Sequence, residues 1–432
     1  MDVLLTFSQN HPEFRKAEWD SILKLTGSDL PSISDCSKEP LEEIEVDELQ
    51  KLQVVLERSV LLKHAHEVLV RGSAHESVKL HLEESRSRLL ARLDATKTWR
   101  IKYRSHNKKK DGQYIEALVQ GYIDILALDH MDVNMMTPFY DFNLIEDFSA
   151  PVPRIYLALL IGDGQGRLKH EFSLKTRKYI GNSTMDPELS FIQANISHVK
   201  QGDLVLDSFC GTGGLILAAA RFGAIVLGSE ISYMIARAKG SSARMGEGEL
   251  KDDQNVLANF VQQGLDHRFA GLILADASQH KLWRSTELFD AIVADPPYGV
   301  REKGRKLGKN GEKDGWLKNE NTHVDRYPEK TKYRTTTLYL DLMDFAANYL
   351  VVEGHVSFWY PVLRESYGED VIPKHPTLAL VSNCEQILSK KGSRRLLCYR
   401  KLRKPVVNEM ATVDRDPYEE TSYRDAIFGP PQ

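Results

Sequence analysis

From about residue 186 onward, short apolar strands alternate regularly with helical segments. Buried apolar strands joined through helices are typical of a parallel sheet in an α/β domain. The strand segments are DLVLD (203–207), AIVLGSE (224–230), LILADA (272–277), FDAIVADPP (289–297), HVSFWYP (355–361), LALVSNCEQIL (378–388) and RLLCYRKL (395–402). The last two are too close together for an intervening helix. We therefore predict a mostly parallel sheet that ends in an antiparallel hairpin across SKKGS.

The first part of the chain has a different texture and predicts an α+β region. Strands are predicted at 2–7 and 98–106, helices at 11–25 and 77–96, and a helix running into a strand at 49–72. Two further strands are predicted around the break at Pro151 and Pro153. After Pro405 the chain becomes polar and acidic. We expect three parts: 1–174, 175–405 and a flexible tail at 406–432.

Composition excludes several classes of protein. The 432 residues carry 42% hydrophobic and 27% charged side chains with a net charge of −4, which is usual for a globular protein of more than one domain. The four cysteines are far apart and form no CxxC pair, so we expect neither a disulfide framework nor a bound metal. Neither a signal peptide nor a membrane span is indicated. The expected compartment is the cytoplasm, and nothing in the sequence decides against the nucleus.

The segment LVLDSFCGTGGLILAAARFGAIVLGSE combines two acids with a glycine loop. A strand ends at Asp207, the loop contains Gly211 and Gly213, and the next strand ends at Glu230. A dinucleotide fingerprint would need glycine at the sixth position from Gly211, where Ile216 stands. S-adenosylmethionine enzymes use the order found here, an acid for the amino group and a second acid for the ribose hydroxyls. A glycine-rich turn without a ligand is the alternative.

Two further positions are candidates for the same cofactor. Asp276 follows the third strand, where a carboxylate can accept a hydrogen bond from adenine, or can simply cap a helix. Thr184 precedes Asp186 and Glu188 in a segment that predicts the start of a helix, with Thr184 as its cap. We expect that helix to lie over the methionine end of the cofactor.

The sequence Asp295-Pro296-Pro297-Tyr298 ends the fourth strand. Ligands in open α/β sheets bind beyond the carboxyl ends of the strands. Asp295 and the carbonyl of Pro296 can each accept an N–H from an exocyclic base amine, and the proline rings hold that backbone rigid. The Tyr298 ring offers a stacking surface for a base extruded from its helix. The motif therefore predicts amino-methylation of a nucleobase, the alternative being a strand stopped by proline.

Three clusters of basic residues stand out on this net-acidic chain. One follows the catalytic motif and contains Arg301, Lys303, Arg305, Lys306, Lys309 and Lys313. A second contains Lys97, Arg100, Lys102, Arg104, Lys108, Lys109 and Lys110, and a third runs from Lys390 to Lys404. We predict that RNA is bound by four residues of the first cluster and three of the second, although such clusters are often only solvated faces. They are Arg301, Lys303, Arg305, Lys306, Lys108, Lys109 and Lys110.

Several of these segments together resemble one family, the catalytic subunits of the eukaryotic tRNA guanosine-10 N2-methyltransferases. They are FSQNHPEFRKAE, RKYIGNSTMDPELSFIQAN, VLDSFCGTGGL and FDAIVADPPYG. RSVLLKHAHEVLV and TPFYDFNLIEDF resemble parts of that family's amino-terminal THUMP region, a tRNA-binding module. The sequence departs from the family at Glu230, where aspartate is common, and in the order of Ser183 and Thr184.

The resemblance implies a THUMP-type region ahead of a Rossmann-like class I methyltransferase domain. The substrate would be guanosine-10 of tRNA, and the partner a small zinc-binding activator subunit that carries the only zinc. Asp207, Gly211, Gly213, Glu230 and Asp276 would bind the cofactor, and Asp295, Pro296 and Tyr298 would act on guanine. A DNA or rRNA amino-methyltransferase and a catalytically inactive RNA-binding scaffold are the rival hypotheses.

Overall fold

The structure is a computed structural model that describes residues 1–35, 39–284, 286–300, 302, 304–308 and 330–429. The chain forms two compact units, Met1–Gly166 and Arg167–Gln432. The sequence placed the corresponding boundary at 174/175, and the three domain ranges stay predictions.

The first unit is built on a six-stranded sheet with four helices. The strands are β1 (Asp2–Phe7), β2 (Leu41–Glu45), β3 (Leu62–Gly72), β4 (Trp99–His106), β5 (Tyr140–Asp147) and β6 (Arg154–Asp163). Their order is β2-β1-β3-β6-β5-β4, with β4 and β5 parallel and all other neighbours antiparallel. The helices are α1 (Arg15–Thr26), α2 (Leu49–Leu56), α3 (His75–Leu90) and α4 (Gly112–Leu126). The predicted α+β character of this region is confirmed.

Two hydrophobic clusters stabilise the first unit. Trp19, Leu52 and their neighbours on α1 and α2 pack with the apolar side chains of β1. Val78, Tyr122 and their neighbours on α3 and α4 pack with the side chains of β4, β5 and β6. Helix α4 is not among the elements expected from the sequence. Its start is fixed locally, because the Asp111 side chain accepts a hydrogen bond from the backbone N–H of Gln113 at 3.0 Å.

The second unit is built on a seven-stranded sheet. Its strands are β7 (Leu204–Asp207), β8 (Ile225–Glu230), β9 (Phe269–Leu274), β10 (Phe289–Ala294), β13 (Leu350–Leu363), β14 (Leu378–Ile387) and β15 (Gly392–Lys401), and a separate ribbon pairs β11 (Arg305–Leu307) with β12 (Lys330–Lys332). The helices are α5 (Leu168–Glu171), α6 (Pro187–Ile196), α7 (Gly214–Arg221), α8 (Tyr233–Ala236), α9 (Val256–Gln262), α10 (Thr335–Tyr349) and α11 (Tyr423–Phe428).

The strand order is β14-β15-β13-β10-β7-β8-β9, and within its parallel part the chain reverses its direction of travel across the sheet once. From β7 the chain moves outward through β8 to β9, and it then returns to the other side of β7 to form β10. Five neighbouring strands of the sheet are parallel, namely β9, β8, β7, β10 and β13. Strand β15 is antiparallel to both β13 and β14. The predicted Rossmann-like sheet with its antiparallel hairpin is confirmed. The reversal creates a crevice beyond the carboxyl ends of β7 and β10, which is where such sheets bind ligands.

The core beside this crevice lies between β10, β13 and α10. Ile292, Phe358, Tyr339 and Met343 are fully or almost fully buried in one hydrophobic cluster. Burying each such side chain contributes roughly 1.5–3 kcal/mol, so the end of β10 is anchored firmly.

The segment after residue 405 packs against this unit. Tyr418 and Tyr423 are buried, and their hydroxyls donate to the carbonyls of Pro361 and Ser393, the latter at 3.1 Å. As far as Gly429, the structure therefore replaces the expected flexible tail with a packed segment. The rings of Tyr418 and Tyr423 bury apolar area, although the segment as a whole is polar in composition.

Within the residues described, no helix combines the length and the apolar character that crossing a membrane requires.

Candidate active site

A cleft of about 1560 Å³ opens at the reversal point of the seven-stranded sheet. Most of the residues singled out in the sequence line it: Thr184, Asp207, Gly211, Glu230, Asp276, Asp295, Pro296, Pro297, Tyr298 and Arg305. They come from segments far apart in sequence, and the parallel arrangement brings them together because the carboxyl ends of its strands meet at one edge.

The glycine loop adopts a conformation that favours glycine. Gly211 and Gly213 have φ angles of 52° and 83°, in the left-handed region that costs other residues free energy. A Cβ atom on Gly213 would lie 2.9 Å from Cγ1 of Val256. The loop is therefore packed against Val256, and α7 begins directly after it.

Glu230 holds the glycine loop in place. Its carboxylate accepts hydrogen bonds from the backbone N–H of Gly211 at 3.0 Å and of Ser232 at 2.7 Å. Burial raises the pKa of Glu230 above its ordinary value, although these two hydrogen bonds oppose the shift. Each carboxylate oxygen has a second lone pair, which leaves acceptor capacity for a ligand hydroxyl.

Asp207 is more deeply buried than Glu230. Its Oδ1 accepts a hydrogen bond from the backbone N–H of Phe209 at 2.9 Å. Burial, with the nearby carboxylates of Asp295 and Glu230, raises the pKa of Asp207 well above its ordinary value. A cation placed in this part of the cleft would be attracted by three acids at once.

Of the two roles that the sequence left open for Asp276, the structure shows the capping one. It lies just beyond β9 and accepts the backbone N–H of Ser278 at 2.9 Å, as a turn-capping residue does. Its other oxygen accepts the backbone N–H of Leu307 at 2.6 Å. Asp276 therefore ties the β11 ribbon to the wall of the cleft, and its role toward adenine stays a prediction.

The prediction that Thr184 caps a helix is wrong. Helix α6 is capped by Asp186, whose side chain accepts the backbone N–H groups of Glu188 at 2.9 Å and Leu189 at 3.3 Å. Asp186 is the cap because the proline at the next position favours the first position of the helix. The Thr184 hydroxyl instead bonds to the backbone of Gly181 and to the Thr212 hydroxyl at 2.7 Å. Thr184 thus joins the segment before α6 to the glycine loop.

The catalytic motif follows β10 directly. The Tyr298 hydroxyl donates a hydrogen bond to Oδ1 of Asp295, and Pro296 is buried between them. The end of β10 is held by Gln193, whose side-chain amide donates to Ala294 O at 3.4 Å and to Ser357 O at 3.2 Å. The motif therefore projects into the cleft from a rigid support.

Burial dominates the electrostatics of this motif. It raises the pKa of Asp295 above its ordinary value, while the Arg394 cation and the Tyr298 hydrogen bond oppose the shift. Burial and the Asp295 carboxylate raise the pKa of Tyr298 well above its ordinary value. The hydroxyl of Tyr298 is therefore neutral at physiological pH and acts as a hydrogen-bond donor to Asp295.

Arg394 is the site residue that the sequence argument missed. It appeared there only as a member of the third basic cluster, yet it lines the cleft, and its Nη1 lies 3.6 Å from Oδ1 of Asp295. The signal was available in principle, since alternate residues of a strand face opposite sides. The sequence did not show the register in which β15 pairs with β13.

The predicted RNA-binding residues differ in their surroundings. In the first unit Lys108 and Lys109 are exposed, whereas Nζ of the half-buried Lys110 lies 4.5 Å from the centre of the Tyr114 ring and 3.9 Å from Oε2 of Glu146. In the second unit Arg305 is exposed at the cleft, and Nζ of Lys306 lies 5.2 Å from the Tyr333 ring centre. Arg301, Lys303, Lys309 and Lys313 lie outside the described residues.

The side chains that line the cleft suit S-adenosylmethionine. Three carboxylates, Asp207, Glu230 and Asp276, would repel the pyrophosphate of a dinucleotide but attract an amino group and a sulfonium charge. The glycine loop lets the backbone approach a ligand closely. The described residues contain no group of three His, Cys, Asp or Glu side chains arranged to hold a metal ion.

Comparisons with known proteins cover both units. The profile of the Tmrp11 THUMP N-terminal domain matches residues 1–163, and that of the RMKL-like methyltransferase domain matches residues 175–310.

Among curated proteins, tRNA (guanine(10)-N(2))-methyltransferase TRMT11 of Homo sapiens is 35% identical over 418 residues, which cover 93% of this chain and 88% of the human protein. The protein of the same name from Dictyostelium discoideum is 30% identical over 433 residues, covering 92% and 82% of the two chains. Among solved structures, TrmN from Thermus thermophilus aligns with a TM-score of 0.47 and 16% identity, covering 93% of this chain and 100% of that chain.

Proposed function

The chain belongs to the family of tRNA (guanine(10)-N(2))-methyltransferases, and from that premise we propose that it methylates the exocyclic N2 amine of guanosine-10 in tRNA. The methyl donor is S-adenosylmethionine. One observation carries the chemistry of the proposal. A carboxylate, Asp295, and a rigid proline segment project from the end of β10 into a cleft that also holds Asp207 and Glu230.

The cofactor site follows from the acids and the glycine loop. When bound, S-adenosylmethionine supplies a methyl group on a sulfonium sulfur. Asp207 accepts a hydrogen bond from the amino group, and Glu230 accepts from the ribose hydroxyls through lone pairs that its two backbone contacts leave free. Asp276 faces the adenine, Gly211 and Gly213 let the loop approach, and Thr184 fixes that loop through Thr212.

The Asp-Pro-Pro-Tyr motif orients the base. Asp295 accepts one N–H of the guanine amine, and the carbonyl of Pro296 accepts the other. These hydrogen bonds raise electron density on a nitrogen whose lone pair is otherwise delocalised into the ring. Pro297 keeps the turn rigid, and the ring of Tyr298 stacks on the base. Asp295 then accepts the proton released from the methylated nitrogen.

Positively charged side chains hold the RNA backbone. In the first unit these are Lys108, Lys109 and Lys110, and in the segment after the Asp-Pro-Pro-Tyr motif they are Arg305 and Lys306, together with Arg301 and Lys303, which lie outside the described residues. Exposure of Lys108, Lys109 and Arg305 supports this role, because phosphate contacts require side chains that reach solvent.

The partner and the compartment complete the proposal. A small zinc-binding activator subunit forms a heterodimer with this chain, as the family resemblance implies. The compartment is the cytoplasm, in keeping with Cys210, Cys384 and Cys398, which are buried as free thiols.

A tRNA carrying inosine at position 10 provides the decisive test. Inosine differs from guanosine only by the absence of the N2 amine. The purified chain, assayed with and without the activator subunit, should place one methyl group on guanosine-10 of the unmodified tRNA, as shown by nuclease digestion and mass mapping. The inosine tRNA should bind with similar affinity and remain unmethylated. Methylation of the inosine tRNA, or of DNA or rRNA in preference to tRNA, would reject the assignment.

The inactive-scaffold hypothesis makes a different prediction about the cofactor. A scaffold would show no heat of binding with S-adenosylmethionine in calorimetry, even with the activator subunit present. We expect binding, because Asp207, Gly211, Glu230 and Asp295 all lie in one cleft.

A further inference from the structure

Arg394 occupies an unusual position for a residue of a basic cluster. Its side chain is only 12% exposed, and it extends from β15 into the cleft that holds the Asp-Pro-Pro-Tyr motif. Arginine is seldom buried unless it is paired. This burial therefore requires an explanation that a solvated basic face does not give.

The guanidinium of Arg394 is fixed on several sides. Its carbon lies 4.1 Å from the ring centre of the fully buried Trp359. Nε donates to Oε1 of Gln386 at 2.7 Å, and Nη2 lies 3.4 Å from Sδ of Met185. A planar cation held by stacking and by directed hydrogen bonds has little freedom to reorient. Its remaining donor, Nη1, consequently points in one direction.

That donor points at the catalytic motif. Nη1 of Arg394 donates to the hydroxyl oxygen of Tyr298 at 2.9 Å and lies 3.6 Å from Oδ1 of Asp295. The three groups form a chain in which the arginine donates to the tyrosine oxygen and the tyrosine donates to the aspartate. We propose that Arg394 is a positioning residue for methyl transfer, which keeps Asp295 a charged acceptor and holds the ring of Tyr298 where the base stacks.

The proposal rests on the proposed function, since it assigns Arg394 a task in the reaction of Asp295. An incoming guanine amine competes with the Tyr298 hydroxyl for Oδ1 of Asp295. When the amine takes that oxygen, the Tyr298 oxygen keeps the hydrogen bond that it accepts from Arg394, while its own O–H turns away from Asp295. Arg394 therefore holds the ring of Tyr298 in position during the exchange.

Among the described groups that face Asp295, Arg394 is the one that carries a positive charge. Those groups are Asp207 from β7, Tyr298 and Glu302 from the segment after β10, Tyr339 from α10 and Arg394 from β15. Of the two acids among them, Glu302 favours the protonated form of Asp295, as burial does. A protonated Asp295 is a weaker acceptor for the amine N–H and cannot take up the proton that the reaction releases, so the charge of Arg394 bears directly on the reaction.

The neighbouring Arg395 provides a matched control. Its guanidinium carbon lies 4.3 Å from the Tyr367 ring centre, and its Nη1 lies 3.6 Å from Oε2 of Glu385. Its side chain is 15% exposed. Arg395 thus has nearly the same burial, stacking and ion pairing as Arg394, but it faces the opposite side of the sheet, as alternate strand residues do.

The experiment is a pH profile of single-turnover methylation by the full chain, with Arg394→Gln, Arg394→Lys and Arg395→Gln. In Arg394→Gln we expect the acid limb to move upward by about one pH unit, because a neighbouring cation shifts a carboxyl pKa by that order. Arg394→Lys should keep the limb near its wild-type pH but lose at least about tenfold in maximal rate, because lysine lacks the planar fork. Arg395→Gln should change neither.

Three outcomes would overturn the proposal. One is a uniform loss of rate in Arg394→Gln with an unmoved acid limb, as a purely packing role would give. A second is a wild-type maximal rate in Arg394→Lys, which also decides the matter should Arg394→Gln fail to fold. The third is an equal limb shift in Arg395→Gln.

A readout without turnover separates this proposal from the proposed function. The ¹³C signal of the Asp295 carboxyl, assigned by its loss in Asp295→Asn, should titrate at higher pH in Arg394→Gln than in wild type. If wild type made no N2-methylguanosine while this shift was present, the proposed function alone would fail. An unchanged titration midpoint would reject the role of Arg394 whatever the activity.

Discussion

The hydroxyl of Tyr298 donates a hydrogen bond to Oδ1 of Asp295, the oxygen assigned to the substrate amine. The two side chains are three residues apart at the end of β10, separated by two prolines that restrict the backbone between them. The tyrosine therefore stands in for a substrate donor in the structure, and it must release the aspartate when the base enters.

This relationship predicts different effects for two substitutions of the tyrosine. Tyr298→Phe removes the hydroxyl but keeps the stacking ring, so we expect the KM for tRNA to change little and the rate to fall modestly. Tyr298→Ala removes the ring, and base stacking is worth roughly 1–3 kcal/mol. We expect its KM to rise between about five- and 150-fold. Steady-state methylation assays would distinguish the two, and equal KM values would exclude stacking on Tyr298.

A second prediction concerns the glycine loop. Gly213→Ala should destabilise the protein and weaken S-adenosylmethionine binding at least about tenfold, because the new Cβ would lie 2.9 Å from Val256 on a backbone with φ of 83°. Gly202→Ala is the control, since Gly202 has φ of 87° and nothing within 4 Å of its added Cβ. It should cost about 1–2 kcal/mol of stability from backbone strain alone, with cofactor affinity intact. Calorimetry and thermal melts measure both, and equal affinity losses would contradict the packing argument.

The buried acids predict a pH dependence of cofactor binding. The pKa values of Asp207 and Glu230 are both raised by burial. Affinity for the cationic S-adenosylmethionine should therefore be full at high pH and should fall as the pH drops through these raised values, above the range near pH 4 of ordinary carboxyls. Calorimetry across pH tests this. Asp290→Asn removes a carboxylate that accepts the backbone N–H of Leu204 at 2.8 Å instead of lining the cleft, and it should leave the profile unchanged.

The carboxyl-terminal segment supplies a stability prediction. Tyr423 is buried and donates to Ser393 O, next to Arg394, whereas Phe428 on the same helix is 67% exposed. Tyr423→Ala should cost about 3–5 kcal/mol, as truncation of a buried aromatic does, and it should also slow methylation by loosening the strand that carries Arg394. Phe428→Ala should stay within about 0.5 kcal/mol of wild type. If chemical denaturation gave equal losses of unfolding free energy for the two variants, the segment would not be packed in solution.

Much of this architecture follows from local sequence patterns. The apolar strands were predictable because a strand buried on both faces is a short continuous apolar run. Asp207, Glu230 and Asp295 each end such a run, and the parallel arrangement alone brings them to one edge. Helix α4 was missed. Thr184 was given the role that Asp186 performs, although the proline at position 187 marks Asp186 as the cap.

Arg394 shows where such reasoning stops. Its role depends on the pairing of β15 with β13, and on Trp359 and Gln386 occupying positions beside it. In the sequence it is one cation among many between Lys390 and Lys404. A one-residue change of register would have placed Arg395 in the cleft instead. Long-range register was not available from local patterns.

The central claim, that Asp295 grips the substrate amine, is tested most directly by the single-turnover methylation rate of Asp295→Asn. Asparagine keeps the size of the side chain but replaces one acceptor with a donor. The account predicts a rate lower by about 10²- to 10⁴-fold, the usual contribution of a group that acts on a proton at the reacting atom, with tRNA affinity unchanged. A rate within tenfold of wild type would contradict it.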